Sequence, residues 1–508
     1  MGFFLKSTQA AVHDNWIERP ARFMGHPSSH FFVSLMKTPS AASQAASVVA
    51  SIMVMSSASW GASDDPPRYR LSPGEQLTYH GHEEFKYQTG SFITEESMRI
   101  WVLSQNAAGG WKVLAECEGS ERRIDSRPEM NQPAREEVAW IRADIGSDGR
   151  QENIESTLTH PIALPQIIPL PRDTQEMKLG WSVVNGEDHS QERYSIIHGT
   201  SRPGQAMIHV VHETDVDKIY LFTDVRDVTF DLNRGVPVKE DQTGSQGYGF
   251  IGKRSRHTEL NDIATADAVT LNQMDHAFTV YRAVQTELQA AFAAQNMSPE
   301  QLDAAQAKEM AALTKARSEI DLPEFQRLID QDITELPSMV SYEKESAKRR
   351  EALFDSPAAD WNTTDLDGKT HGLSDYKGKV VILDFWYRGC GPCMMAMPQM
   401  EQVAQHYAGQ PVVVLGMTID RKPEDAEFVV KKMGLTYITL NAKKIAESYK
   451  INAFPTMLIL DQDGVIKDIH AGYSPTLRED IEKKIDALLA NLSPAPSAKA
   501  GTTSTSAH

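Results

Sequence analysis

The sequence is poor in cysteine. Only three occur among 508 residues, Cys117, Cys390 and Cys393, which excludes a small scaffold stapled by several disulfides. Long apolar runs are also missing. No stretch reaches the roughly 18 to 20 residues that cross a bilayer as a helix, so a polytopic helical membrane protein is excluded. Positive charge is scarce too: 51 Lys and Arg stand against 69 Asp and Glu, a net charge of −18. Such a chain repels phosphate backbones, and nucleic acid is not an expected partner. What remains is globular composition, 41% hydrophobic and 24% charged, over a length that suggests several domains.

Residues 1–62 read as an address. The apolar run Ala45 to Ala58 (AASVVASIMVMSSA) has the length of a signal-peptide core, Lys37 precedes it, and Ser56, Ala58, Ser59 and Ala62 supply small residues for cleavage. Met36 and Met24 are natural starts for such a peptide. The expectation is export to the periplasm or cell envelope, with the leader cleaved or kept as a membrane anchor. The competing reading is a cytosolic protein with an Ala/Ser-rich tail. The other end, 493–508 (SPAPSAKAGTTSTSAH), is expected to be disordered.

From 64 to 260 the texture alternates. EQLTYHGHEEFKY (75–87), MRIWVLSQ (98–105), WKVLAECE (111–118), EVAWIRADI (137–145), RYSIIHG (193–199), AMIHVVHE (206–213) and KIYLFTDV (218–225) read as strands. Turn signals at 106–110, 146–149 and Asn185-Gly186 separate them. The fold class expected for this all-β part is an antiparallel sheet, a sandwich or an open barrel. The Pro-rich stretch His160 to Pro171 reads as a crossing between two halves. His80, His82 and Glu84 share one strand face, which is compatible with metal ligation but more often marks a solvated face. His209 and His212 fall on opposite faces. Cys117 reads as a small buried hydrophobe, with a third redox role as the alternative. The domain is expected to bind or orient a partner protein, an envelope surface or an apolar ligand.

Between 264 and 353 the pattern becomes helical. Apolar residues at 280, 284, 288, 291 and 292 form a stripe. Ser298-Pro-Glu-Gln301 predicts a capped start with proline in the first turn, running to about Ser318. Asp321-Leu-Pro-Glu324 opens another helix. These helices are expected to pack on the β-rich part, act as a spacer, or mediate dimerisation.

The last region, 356–490, carries the chemistry. VVILDFW (380–386) suits a strand buried on both faces. Cys390-Gly-Pro-Cys393 and the helical segment 394–408 follow it. A cysteine at a helix N-terminus meets free N–H groups and a dipole that favour the thiolate, the nucleophilic form. Gly391 and Pro392 keep the turn tight and bring the second sulfur close enough to close a disulfide. Pro398 is expected to kink the helix. Asp384, in the apolar strand, would have a raised pKa by desolvation and serve as proton acceptor for Cys393. At Phe454-Pro455-Thr456 a cis-proline would expose the preceding backbone for β-like pairing with a substrate chain. Gly472 is placed where a close approach to the site needs a missing side chain. Other readings of the pair are a static disulfide or half of a zinc site. The latter lacks ligands, because His371, His406 and His470 are scattered and not motif-spaced. No metal and no cofactor is expected.

These residues together resemble the thioredoxin superfamily. LDFWYRGCGPC (383–393) is similar to its active-site strand and helix, and SPAADWNTTDLDGKTHGLSDYKGK (356–379) is similar to the TlpA/ResA-like, redoxin branch, whose exported members reduce or exchange protein thiols. The resemblance covers a little over a quarter of the chain. It implies a C-terminal α/β thioredoxin-like fold, Cys390 as attacking thiol, Cys393 as resolving thiol and Pro455 as the cis-proline. Trp386, Arg388, Gly389, Phe454, Thr456 and Gly472 would border the substrate. Gly389 stands where the family usually carries tryptophan. That opens the surface around the sulfur, and Arg388 before it is placed to stabilise the thiolate.

The function expected is an extracytoplasmic thiol–disulfide oxidoreductase, with protein thiols or disulfides as substrates and an external electron donor or acceptor. A redoxin-type thiol peroxidase is the second reading. It is weakened because Tyr387 occupies the position three before Cys390, where that family usually has threonine or serine. The third reading is an envelope binding or scaffold protein with an accessory redox domain.

Overall fold

The structure, a computed structural model, describes residues 65–87, 90–126, 131, 133–158, 163–184, 191–197, 202–213, 220–248, 252–292 and 297–490. The leader at 1–62, its cleavage positions, the tail at 493–508 and the Asn185-Gly186 turn lie outside them. The chain divides into two compact units, which among the described residues are 65–347 and 348–490.

Period-two alternation builds the first unit. Its strands are β1 (Glu75–Tyr87), β2 (Gly90–Gln105), β3 (Trp111–Asp125), β4 (Arg135–Ile145), β5 (Gln151–Ser156), β6 (Trp181–Val184), β7 (Gln191–Ile197), β8 (Gln205–Glu213), β9 (Tyr220–Asp231), β10 (Val236–Tyr248) and β11 (Gly252–Thr265), with helix α1 (Thr174–Leu179) before β6. They form one antiparallel sheet in the order β5-β4-β3-β2-β1-β11-β10-β9-β8-β7-β6. Of the arrangements expected, the strands make an antiparallel sheet, with β5 and β6 at its edges. Leu77, Ile100, Val113, Ile141, Ile208, Val210 and Phe230, from strands on both sides of β1, enter one shared core. The sheet must curl to bring them together. The Pro-rich crossing between the two edges completes that core with Leu164, Ile167, Ile168 and Leu170, and the Tyr69 hydroxyl donates to the Ile168 carbonyl at 3.2 Å.

Farther along the same strand faces the inner residues turn polar. Glu83, Asp224, Glu240, Gln242, Arg254 and Thr258 are buried there. His80 and His82 are exposed on the opposite face of β1, and His82 pairs with Glu95 at 2.9 Å. His212 is buried and lies 3.5 Å from Glu192, whereas His209 pairs with Asp227 at 2.7 Å. Cys117 is half-buried and packs against the shared core.

Three helices follow: α2 (Ala268–Ala291), α3 (Pro299–Glu319) and α4 (Pro323–Leu353). Ser298 and Gln301 form the reciprocal cap of α3. The helices do not stand apart as a spacer. Leu271, Phe278, Leu313, Phe325 and Ile329 pack with Trp101, Leu114 and Trp140 on the outer face of the sheet. Trp140 stacks on Trp101 and meets Phe325 at 4.3 Å between ring centres. Burying three such aromatics commits the helices to the sheet, since each fully buried large side chain contributes about 1.5–3 kcal/mol.

The second unit contains the hairpin β12 (Asn362–Thr364) and β13 (Thr370–Gly372). After it come β14 (Val380–Trp386), α5 (Gly391–His406), β15 (Val412–Thr418), α6 (Pro423–Met433), β16 (Ile438–Asn441), α7 (Lys443–Ser448), β17 (Thr456–Leu460), β18 (Ile466–Ala471) and α8 (Leu477–Ala490). The sheet order is β16-β15-β14-β17-β18. β15 and β16 run parallel to β14, and β17 antiparallel to it. Every residue of β14 is buried, as its unbroken apolar run requires of a central strand.

Candidate active site

The site grows from the C-terminal end of β14. The chain leaves the sheet at Trp386, turns through Tyr387 to Gly389 with the Cys390 N–H donating to the Tyr387 carbonyl at 3.1 Å, and enters α5. Cys390 is the N-cap, and its Sγ accepts from the Cys393 N–H at 3.2 Å. Gly391 and Pro392 complete the turn, and Pro398 lies within the helix. Cys390 and Cys393 are joined as a disulfide, their Cα atoms 5.2 Å apart. Both are buried, at 0% and 1% exposure. The Cys393 amide of the first helical turn thus points at the sulfur of Cys390, where it and the helix N-terminus can stabilise a thiolate after reduction.

Asp384 is also buried, and burial pushes its carboxyl up to about 7. No cation compensates it among the groups that shift it. The Tyr437 hydroxyl, 3.5 Å from Oδ2, offsets the rise slightly. On the neighbouring strand, Asp384 sits opposite Gly416 of β15. A Cβ at Gly416 would meet the Thr439 hydroxyl at 2.9 Å and the Trp386 indole nitrogen at 3.1 Å. A side chain at Gly416 would therefore crowd Thr439, Trp386 and the ring of Tyr437, whose hydroxyl faces the acid.

The other expected residues divide into surface and wall. The Phe454–Pro455 peptide is cis. Phe454 packs edge-on against Tyr387, ring centres 5.4 Å apart, and Gly389 is exposed. Trp386 is fully buried, so it walls the site and does not present a substrate surface. Thr456 is buried as well, its hydroxyl donating to the Ala453 carbonyl at 2.8 Å. Gly472 has open space around its Cα, so crowding is not its reason. Its φ of +92° is, because other residues rarely adopt it. Its N–H donates to the Pro455 carbonyl at 2.8 Å.

Arg388 departs from expectation in a more instructive way. Its guanidinium donates to Asp425 at 2.7 Å and lies over the Phe428 ring at 4.4 Å. Its charge is compensated by an acid of α6. Sequence reasoning missed Asp425, Phe428, Tyr437, Gly416 and Asp420. The one available signal was Asp420, a charged residue directly after the apolar run VVVLGMTI. His371 bonds Asp365 and Tyr376, and no metal-binding cluster occurs among the described residues.

Against known proteins, the redoxin family model matches residues 353–489. The chain is 33% identical over 135 residues to the thiol-disulfide oxidoreductase ResA of Geobacillus kaustophilus, spanning 26% of this chain and 76% of the relative. It is 36% identical to the thioredoxin-like protein YneN of Bacillus subtilis, over 25% of this chain and 76% of that protein. Among solved structures, a putative thiol:disulfide interchange protein DsbE from Chlorobium tepidum aligns with 29% identity and a TM-score of 0.26, covering 27% of this chain and 97% of its own.

Proposed function

Through residues 353–489 the chain belongs to the redoxin family, among thiol-disulfide oxidoreductases, and on that premise we propose that it exchanges protein disulfides outside the cytoplasm through Cys390 and Cys393. The observation that carries this reading is the disulfide at the N-terminus of α5 with an uncompensated buried acid on β14, the strand that leads into it.

In the reduced enzyme Cys390 is the nucleophile. Its thiolate attacks one sulfur of a substrate disulfide; a mixed disulfide forms, and the other substrate sulfur leaves as a thiolate. Cys393 then gives its proton to the Asp384 carboxylate and attacks the Cys390 Sγ. The second substrate thiolate leaves. Two electrons have passed to the substrate, and the Cys390–Cys393 disulfide of the structure is regenerated. An external dithiol reduces it for the next turnover; with an oxidising partner the steps run in reverse. Phe454 and the cis-Pro455 supply backbone beside the sulfurs for an extended substrate segment. Export rests on Lys37 and the run Ala45 to Ala58, which can also anchor the protein.

The test is covalent trapping. Cys393→Ala should accumulate intermolecular disulfides through Cys390 with reducible protein substrates, visible on non-reducing gels. Cys390→Ala should give none. A Cys393→Ala protein that never forms such an adduct overturns the mechanism.

A further inference from the structure

The segment that delivers Cys390 is tied down at several points. The Trp386 carbonyl accepts the Ile419 N–H at 3.0 Å. Both carboxylate oxygens of Asp420 lie 3.1 Å from the Arg388 N–H. Asp420 is itself oriented by Thr418, whose hydroxyl donates to Oδ2 at 3.0 Å and accepts the Asp420 N–H at 3.2 Å. The Arg388 side chain adds its ion pair with Asp425 and its stacking on Phe428. Beyond Arg388 comes only exposed Gly389, a residue with little conformational preference, and then Cys390. The Asp420 carboxylate thus holds the backbone two residues before the nucleophile.

Resting on the exchange reaction proposed above, we infer that Asp420 is a positioning residue for it: by accepting the Arg388 amide it sets the path of residues 387–389 and so the placement of the Cys390 sulfur against an incoming disulfide. A charged acceptor holds an amide more strongly than a neutral one. Burial pushes the Asp420 carboxyl up to about 6, the Arg388 amide and Thr418 hydroxyl pull it down, Asp425 raises it and the Arg388 guanidinium lowers it. Tyr387 faces it from the entering segment. The carboxylate therefore gains a proton within a range where the enzyme can be assayed, and the tether weakens as pH falls through about 6.

The experiment measures alkylation of reduced Cys390 by iodoacetamide in the full chain across pH. Wild type should show two inflections, one from the thiol and one near 6. Asp420→Asn keeps a neutral acceptor that does not titrate. It should stay within about threefold of wild type near neutral pH and lose the inflection near 6. Asp420→Ala should be slower by about tenfold and lose it too. An Asp420→Asn profile that retains the inflection overturns the inference, even if Asp420→Ala fails to fold. A wild-type Cys390 that does not react at any pH instead defeats the exchange reading itself.

Discussion

Both units of this protein bury acids, and Glu192 of the first and Asp384 of the second are held in opposite ways. Inside the curled sheet of the first unit three acids are matched with cations, Glu83 with Arg254 at 2.6 Å, Glu96 with Arg256 at 2.5 Å and Glu192 with Arg226 at 2.5 Å, while burial pushes the Asp224 and Glu240 carboxyls up. Glu192 is consequently held down at about 2 by the Arg226 guanidinium, despite burial. In the second unit Asp384 is buried beside a glycine and a tyrosine, and rises to about 7. Glu192, paired with Arg226, stays ionised through the physiological range and serves as structure. The unpaired one can take up and release a proton near neutrality, which is what thiol exchange needs. The cysteines repeat the contrast. Burial, with Glu96 nearby, pushes the Cys117 thiol up to about 12, so it is a poor nucleophile. Cys390 caps a helix whose amides favour its thiolate.

Five substitutions separate these two designs. The largest effect belongs to the redox pair. Cys390→Ser should reduce exchange at least about 10³-fold, measured as turnover of a protein disulfide, because no other nucleophile can replace it.

Asp384→Asn comes next. Resolution of the mixed disulfide, followed by single-turnover quench, should slow by roughly 10²-fold or more through loss of the proton acceptor. Stability should move the other way. The folded carboxyl lies above its unfolded value of 3.8, so the native state holds more protons between about pH 4 and 7 and loses stability as pH rises through that window. Above it the ionised acid costs up to about 4 kcal/mol. The asparagine variant should lack this slope and be more stable than wild type in alkaline urea denaturation.

In the first unit the sign reverses. Arg254→Met alone should destabilise by about 3–5 kcal/mol, because it removes the cation paired with buried Glu83 at 2.6 Å. Glu83→Leu with Arg254→Met should recover most of that loss in the same denaturation assay. If the single change were as mild as the double, the first unit would not depend on pairing. The smallest effect is at Cys117. Cys117→Ala should cost no more than about 1–2 kcal/mol and leave exchange rates unchanged. Mass spectrometry after iodoacetamide treatment of the reduced protein should find label on Cys390 and not on Cys117.

Much of the second unit could be read from contiguous residues. VVILDFW, the C-G-P-C turn and the helix after it are neighbours in the chain, and their order implies a buried strand feeding a helix N-terminus. Phe454-Pro455 was readable for the same reason. Arg388 and Trp386 were misjudged because their surroundings are not local. Asp425 and Phe428 arrive from α6, and Tyr437, Thr439 and Gly416 arrive by parallel pairing of β15 and β16. In the first unit alternation announced the strands but not which strands would pair. Closure of β1 onto β11, across a long stretch of chain, has no signature within either strand.

By itself, then, the sequence determined the candidate redox pair Cys390 and Cys393, the acid six residues before the first of them and most of the strands and helices of each region. These depend on short-range geometry, spacing and burial pattern. Only the tertiary structure decided that Asp384 stays unpaired, that Arg388 is held by α6 and that Asp420 grips the segment before the nucleophile. Electrostatic environment is a sum over neighbours in space, and the pairing of strands distant in sequence chooses those neighbours.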